Sequence, residues 1–442
     1  MRPLVAQTKL GVLDAVAIIV GIIIGSGIFV APAHVAGVSG GLALALVLWL
    51  AAGAVAGCGA LTYAECSSRF PQDGGFFVYY REAFGDWLGF TGGWAAQLVT
   101  YPASVAAIAH LCAQYSASLV PALNGRETWV ACFAIAVSGT LNGIGLRSGA
   151  LTQRALTATK VLAIVALGAA ACVTAWFASA SGPSHSIEWF SAGAAAPSLS
   201  DFSAALLLLL WSYDGWSDIS MVAGALRDPG RMLVRSVLIS MAVLAGCYVL
   251  VQVAVLAVLP LDVAAASQSV FADATQAALG DGAGAWVAAL IVLSTFGSMH
   301  GIVFTVSRLG SSMARDGDFF RWFAPVDESR GVPLRSLGLM VGASLVYALV
   351  SDFRELLALF GQTVWVFYGL TAGALFVFRA RNQHSPHTVR IPTLAPVVLL
   401  VFAHAMTISL AFDNFARFAT GLGLVSLGVP VFFLWRRLRP QP

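Results

Sequence analysis

Apolar residues in this chain come in long, nearly unbroken runs, not in the alternating or three-four spacing of half-buried elements. Runs of about 20 residues, the length that crosses hydrocarbon as a helix, fall near 12–36, 42–66, 87–119, 129–146, 152–178, 202–224, 235–259, 285–312, 336–351, 355–378, 394–412 and 416–435. These twelve segments predict an all-α polytopic membrane protein. The longest of them predict tilted helices. The stretches outside them are short, so no appended soluble domain is expected.

Two segments carry a polar interruption at mid-depth. The first, VLDAVAIIVGIIIGSGIFVAPAHVA, is broken at Gly25-Ser26-Gly27. An unpaired backbone group in hydrocarbon costs several kcal/mol, so a spanning helix weakened there calls for something polar to offset the loss. Free amides of Ser26, Gly27 and Ile28 would sit at a half-helix N-terminus, the positive end of a dipole that suits a carboxylate. The competing reading is a tight helix crossing built from small residues. The sixth segment holds Ser212-Tyr213-Asp214-Gly215-Trp216-Ser217 at mid-span. An Asp at helix centre costs about 2.5–3.5 kcal/mol on insertion.

The two breaks occupy the first position of two successive groups of five segments. Five is odd, so a second copy enters the membrane from the other side. That pattern predicts inverted repeats over 12–178 and 202–378, accessory helices over 394–435, and a binding site at mid-depth. Two unrelated packing kinks are the alternative.

Composition agrees with the runs. Of 442 residues, 59% are hydrophobic and only 10% charged, against roughly 25% charged in soluble domains. The first run is too long for a signal-peptide core and lacks a small-residue cleavage site, so no cleaved leader is expected. Cys58, Cys66, Cys112, Cys132, Cys172 and Cys247 form no C-x-x-C pair, and neither a metal site nor a disulfide framework is expected.

Charge placement orients the chain. With an even span count, one side collects Arg2, Lys9, Arg69, Arg81, Arg147, Arg154, Arg227, Arg231, Arg235, Arg315, Arg321, Arg330, Arg335, Arg379, Arg381, Arg390, Arg436, Arg437 and Arg439. The other side has Arg126, Arg354 and Arg417, with Glu188, Asp201, Asp262, Asp273 and Asp281. The positive-inside rule then predicts cytoplasmic N- and C-termini in a cell (inner) membrane. Lys9 and Lys160 are the only lysines, the usage of a GC-rich bacterial genome.

Four motifs in order give a resemblance. Gly21 to Phe29 (GIIIGSGIF) is the first. Tyr63-Ala64-Glu65 with Phe70-Pro71-Gln72-Asp73-Gly74-Gly75 and Arg81-Glu82-Ala83-Phe84-Gly85 is the second. Trp211-Ser212-Tyr213-Asp214-Gly215-Trp216 with Arg227-Asp228-Pro229-Gly230-Arg231 is the third, and Ser294-Thr295-Phe296-Gly297-Ser298 with Ala314-Arg315-Asp316-Gly317 the fourth. Together they resemble the amino acid–polyamine–organocation superfamily, in its L-type amino acid transporter branch. The resemblance implies a leucine-transporter-type fold with two inverted five-helix repeats and broken helices 1 and 6. Departures stand at Gly224-Ala225-Leu226, where a Glu is usual, at His300, where Asn is commoner, and at Val234, where Pro is usual. They bear on conformational coupling more than on the binding cradle.

By resemblance and by dipole physics together, the substrate site comprises Ile23, Gly25, Ser26, Gly27, Ile28, Trp211, Ser212, Asp214, Gly215 and Ser217. The amides of Ser26 and Gly27 take an α-carboxylate, and the carbonyls of Ile23, Trp211 and Asp214 take an α-ammonium. Trp211 matches the family's gating aromatic; plain aromatic packing is the alternative. Asp214 has three readings: a cap for the unwound turn, a partner for cationic side chains, or a protonatable coupling group. Lys160 either snorkels to the surface or, as the resemblance implies, occupies the region that holds sodium in sodium-coupled relatives and argues against sodium dependence. Glu65 and Arg81 form gate or structural ion pairs, or belong to a solvated loop. His34, His110, His300 and His404 read as satisfied core groups before proton relays. Ser104, Ser294, Ser298, Gln362 and Trp365 are further candidate pocket liners.

The loop VPALNGRE lacks the cysteine with which heavy-chain-paired family members form a disulfide, so no disulfide-linked heavy chain is expected; the oligomeric state is left open. No nucleotide loop or H-E-x-x-H occurs, which excludes those pump and enzyme classes, and no repeated filter segment marks a channel. The reading is secondary transport of amino acids, by sodium-independent exchange or by facilitated or proton-linked uptake. No cofactor, metal or nucleic acid is called for. The alternative is a polyamine or cationic-metabolite carrier, which Asp214 favours and the carboxylate cradle opposes.

Overall fold

The computed structural model describes residues 9–181, 188–190 and 198–438, so Arg2, Arg439 and nearby terminal positions lie outside the described residues. Among the described residues there are helices and two isolated β-bridges, Leu10 with Leu226 and Asp327 with Val332, but no strand.

The first apolar run is two helices, α1 (Val12–Ile23) and α2 (Gly27–Ser39), bent by 55° at a break over residues 24–26. Next come α3 (Leu42–Arg69), the short α4 (Phe76–Phe84), α5 (Asp86–Ala95), α6 (Tyr101–Leu119), α7 (Glu127–Ile144) and α8 (Leu146–Ser181). The second half runs through α9 (Leu199–Ser212), a 3-10 segment (Asp218–Ala225), α10 (Pro229–Val258), α11 (Leu261–Ala266), α12 (Val270–Leu279) and α13 (Ala283–Arg315). It ends with α14 (Leu334–Val350), α15 (Phe353–Ala380), α16 (Leu394–Asp413), α17 (Phe415–Ser426) and α18 (Gly428–Leu438).

Every one of the twelve predicted segments is thus helical over most of its length. Among the described residues, eight helical units are long and apolar enough to cross a membrane, and the bent α1–α2 pair makes nine. The others fall short on length or polarity; α14, for one, has 17 residues. Large apolar side chains stay exposed around the bundle, Phe133, Leu162, Phe412 and Phe415 among them. Exposed tryptophans lie near both ends, Trp129, Trp176 and Trp286 at one and Trp87 and Trp322 at the other. Such aromatic belts mark the two membrane–water interfaces. The chain is therefore a multi-pass membrane protein.

Packing ranks the helices. The unit Asp86–Leu119 is 83% buried over its apolar window and α13 is 72% buried, whereas Phe415–Arg437 is 22% buried. α6 and α13 form the centre, and the last helices form the lipid-facing edge. A π-turn, Ala96–Thr100, joins α5 to α6 just before Pro102. Pro has no N–H to continue the ladder, so the register is reset there.

One expectation is corrected in detail, and one stretch holds helices that the apolar runs did not mark. The sixth segment does not resume as an α-helix after its break; it continues as a 3-10 turn kinked at Val222, held by short bonds such as Ser220 N–H to the Ser217 carbonyl, 3.0 Å. The stretch between the seventh and eighth segments is not plain loop: it folds into α11 and α12, whose Val270, Phe271 and Ala274 are fully buried.

Candidate functional site

The break in the first span is braced from the side. Lys160 on α8 is fully buried, and its ammonium donates to the carbonyls of Gly21 (2.6 Å), Ile24 (2.8 Å) and Ser294 (3.1 Å). Three donors meet three acceptors, so the cation is satisfied without a carboxylate. The Ser294 hydroxyl donates to the carbonyls of Ile24 (2.7 Å) and Gly25 (3.1 Å), and Ser298 approaches those of Gly21 (3.1 Å) and Ile24 (3.0 Å). The negative end of α1 is thereby capped by a fixed positive charge and two α13 hydroxyls.

The positive end of α2 is left open. Among the described residues, the N–H groups of Ser26, Gly27 and Ile28 meet no protein acceptor; the first bond of the new helix runs from Phe29 N–H to the Ser26 carbonyl, 3.0 Å. Gly27 also lies against α9. A Cβ there would stand 2.5 Å from Ser212 Oγ and 3.0 Å from Ser212 Cα, closer than packing permits. Ser212 is fixed in turn, since its carbonyl accepts from the Tyr248 hydroxyl at 2.5 Å. Across the gap, Gly215 has φ +115°, a conformation favouring glycine, and a Cβ on it would meet Ile22 at 2.5 Å. The two interrupted spans therefore touch at both of their breaks.

Between them lies a cavity of about 60 Å³, room for about two waters. Ile23, Gly25, Ser26, Gly27, Trp211, Ser212, Asp214 and Gly215 line it. The Ile23 carbonyl already accepts from Gly25 N–H (2.7 Å) and that of Trp211 from Asp214 N–H (3.0 Å), so each has one lone pair left. Trp211 is half-buried at the cavity wall.

Two predicted residues do not line it. Ile28 is sealed within the packing of α2, and Ser217 turns its hydroxyl to Asp218 (3.1 Å) and Tyr368 (3.4 Å). Among the further liners, Ser104 and Ser298 reach the cavity. Ser294 is taken by the α1 carbonyls, Trp365 packs edge-on against Tyr368 (5.4 Å), and Gln362 lies against Gly421.

The sequence reading missed Asp218, Tyr101, Ile108, Ile302 and Phe360. Asp218 is the most consequential. Its Oδ1 accepts from the Tyr101 hydroxyl (2.8 Å) and from Ser217, while Asp214 Oδ1 accepts from the Tyr368 hydroxyl. Two carboxylates thus face one cavity, held by hydroxyls from α6 and α15, and neither pairs with a cationic side chain among the described residues. A signal was present, since Asp218 lies four residues beyond Asp214 in the same broken span.

The end of the bundle that gathers the arginines is closed. Tyr63 stands edge-on to Trp216 and Tyr368, which tilt against each other, in an aromatic layer with centroids 4.5–6.0 Å apart, and Gly59 makes the slot for Trp216. Beyond it, Glu65 is fully buried and receives Arg69 (2.5 Å), Arg379 (2.5 Å) and the Ile391 N–H (3.0 Å). Asp73 holds Arg308 (3.2 Å) and the Gly224 N–H (3.0 Å), and Arg81 pairs with Asp316. Glu65 and Arg81 are therefore ion-paired, not loop-solvated. His300 is a satisfied core group: Nδ1 faces the Asn142 amide (3.2 Å) and Nε2 the Gly149 carbonyl (3.2 Å). His110 bonds the Ala348 carbonyl (3.1 Å), whereas His34 and His404 are exposed and do not belong to the core.

A helical membrane bundle whose two interrupted spans meet around a small polar cavity, closed at one end by aromatic and ionic layers, has the build of a carrier. The chain matches the amino acid permease family over residues 10–434 and belongs to it. Similar proteins include the Asc-type amino acid transporter 1 of Mus musculus, 30% identical over 99% of this chain and 82% of that protein. The Large neutral amino acids transporter small subunit 2 of Rattus norvegicus is 30% identical over 97% and 80%. The b(0,+)-type amino acid transporter 1 of Homo sapiens is 28% identical over 90% and 81%. The chain is thus an amino acid transporter of the amino acid–polyamine–organocation superfamily and not an enzyme; the polyamine alternative is not favoured.

Proposed function

We propose that this transporter works by alternating access, through sodium-independent exchange or facilitated or proton-linked uptake, on a zwitterion held between the two broken spans. The observation that carries this reading is the open N-terminus of α2 facing the cavity: amides of Ser26 and Gly27 with no protein acceptor among the described residues. They suit an α-carboxylate. The remaining lone pairs of the Ile23 and Trp211 carbonyls, with the Asp214 carbonyl, suit the α-ammonium. Trp211 is placed to close over the substrate, and Lys160 supplies the fixed cation that makes sodium unnecessary. We assign 12–178 and 202–378 as inverted repeats, with 394–435 accessory. Both termini are cytoplasmic in this reading, in a cell (inner) membrane, because they lie at the arginine-rich end and the positive-inside rule puts that end in the cytoplasm. The loop at 120–127 has no cysteine, so the carrier works without a disulfide-linked heavy chain.

Counterflow in proteoliposomes tests this. Internal unlabelled amino acid is expected to accelerate entry of labelled amino acid, saturably and stereospecifically, with equal rates in sodium and choline buffers. Steep sodium dependence, or no acceleration by any amino acid, would sink the reading.

A further inference from the structure

One deep crevice is not used by the transport site. It lies at the arginine-rich end beside α1 and α8 and encloses about 350 Å³. One wall is a single face of α8, where Arg147, Ala150, Leu151 and Arg154 recur at three, one and three residue steps. The other wall is the start of α1, and Lys9 and Arg227 stand at the rim.

The charge in this crevice is unbalanced. It holds four cations and one carboxylate, Asp14. Asp14 is already occupied by Arg154 (2.6 Å) and by the Gly11 N–H (2.8 Å). Lys9, Arg147 and Arg227 have no acidic partner among the described residues. The first residues of α1 and α8, Val12 and Leu146, start beside it, adding two positive helix ends. Exposed apolar side chains stand with it: Leu151, 51% exposed, is in its wall, and Leu13, 70% exposed, precedes Asp14 on α1. An occupant therefore needs an anionic head and an apolar tail.

We propose that this crevice binds the phosphodiester headgroup of an anionic phospholipid, with its acyl chains lying along Leu13 and Leu151. Basic pockets between spanning helices at a membrane face are suited to this chemistry. The lipid also has something to hold. Leu10 N–H donates to the Ala225 carbonyl (2.8 Å) and Arg227 N–H to the Leu10 carbonyl (3.2 Å), so the entry to α1 is stitched to the exit of the second broken span. A headgroup shared by Arg147 and Arg227 ties that junction to α8 and favours the closed state of this end.

The test uses the purified full-length transporter, delipidated, with native mass spectrometry and thermal unfolding. Phosphatidylglycerol is expected to remain bound and raise the melting temperature, whereas phosphatidylcholine and 10 mM inorganic phosphate do not. The Arg147→Gln/Arg227→Gln pair should weaken phosphatidylglycerol binding at least about tenfold, while Arg126→Gln, at the opposite end, leaves it unchanged. Should the double variant fold poorly, Arg147→Gln alone is expected to lose part of the shift and Arg147→Lys to keep it. Equal shifts with phosphatidylcholine, full stabilisation by phosphate alone, or glutamine variants that bind as the parent does would each overturn the proposal. None of these readouts depends on which substrate is carried.

Discussion

The ammonium of Lys160 sits 2.6 Å from the carbonyl of Gly21, a residue of a different helix 139 positions away. Together with its bonds to Ile24 and Ser294, this contact joins three helices at the one point where the first span is open. Lys160→Met removes the charge and a charged donor from three carbonyls, each such bond worth about 1.5–3 kcal/mol. Exchange is expected to fall at least tenfold, and the melting temperature by several degrees. Parent-like exchange in this variant, read in proteoliposomes, would show the brace to be dispensable.

Gly25 and Gly27 flank the same break but face different surroundings. A Cβ at Gly25 would find its nearest atom, Ser298 Oγ, at 3.5 Å, an ordinary contact; at Gly27 it would collide with Ser212. Gly27→Ala is therefore expected to reduce exchange at least tenfold, with Gly25→Ala within about threefold of the parent. Radiotracer uptake at matched expression reads the contrast, and equal losses would count against the geometry.

The carboxylates of Asp214 and Asp218 share a cavity with no cationic side chain in its wall. Asp218→Asn keeps an acceptor for the Tyr101 hydroxyl but removes a charge. Competition by arginine relative to leucine is expected to weaken about tenfold, the effect of roughly 1.4 kcal/mol. An unchanged ratio would leave Asp218 as a support for Tyr101 alone. Asp214→Asn, run beside it, separates a side-chain partner, which moves the same ratio, from a turn cap, which does not.

Glu65 receives two arginines and a backbone N–H in a fully buried position. Glu65→Gln leaves Arg69 and Arg379 without their counter-charge, and breaking a buried pair in this way costs about 3–5 kcal/mol. A marked drop in melting temperature is expected, larger than for Glu82→Gln, whose partner Arg81 keeps Asp316. Differential scanning fluorimetry in detergent makes the comparison.

How much of this was legible beforehand depends on what set each position. The helical runs and both breaks could be read because hydrocarbon punishes unpaired backbone, which forces long apolar stretches and makes Gly25-Ser26-Gly27 conspicuous. Lys160 stood out as a lone lysine in an apolar run. Asp218 and Tyr101 did not, for geometric reasons. Asp218 lies beyond the break at Gly215, where the span runs on as a 3-10 turn, so no continuous helical face links it to Asp214 and its four-residue offset was the one signal it gave. Tyr101 reaches the cavity from the far side of a π-turn that resets the helix register. Periodicity assumes a constant angular step, and both residues lie where that step changes. Ser217 was misplaced for the same reason, one residue off Asp218; Ile28 was expected for its backbone amide, but its side chain is sealed within the regular α2.

A positive charge covalently fixed in the scaffold does not cross the membrane with the cargo. In the proposed sodium-independent exchange, with Lys160 in the place of a travelling ion, the carrier moves the same charge whether empty or loaded with a zwitterion. An elementary charge crossing the full field would gain about 2.3 kcal/mol per 100 mV; a neutral cargo gains none of it. In that mode voltage cannot set the direction of flow, and the concentrations on the two sides must, whereas proton-linked uptake of the same cargo would answer to voltage.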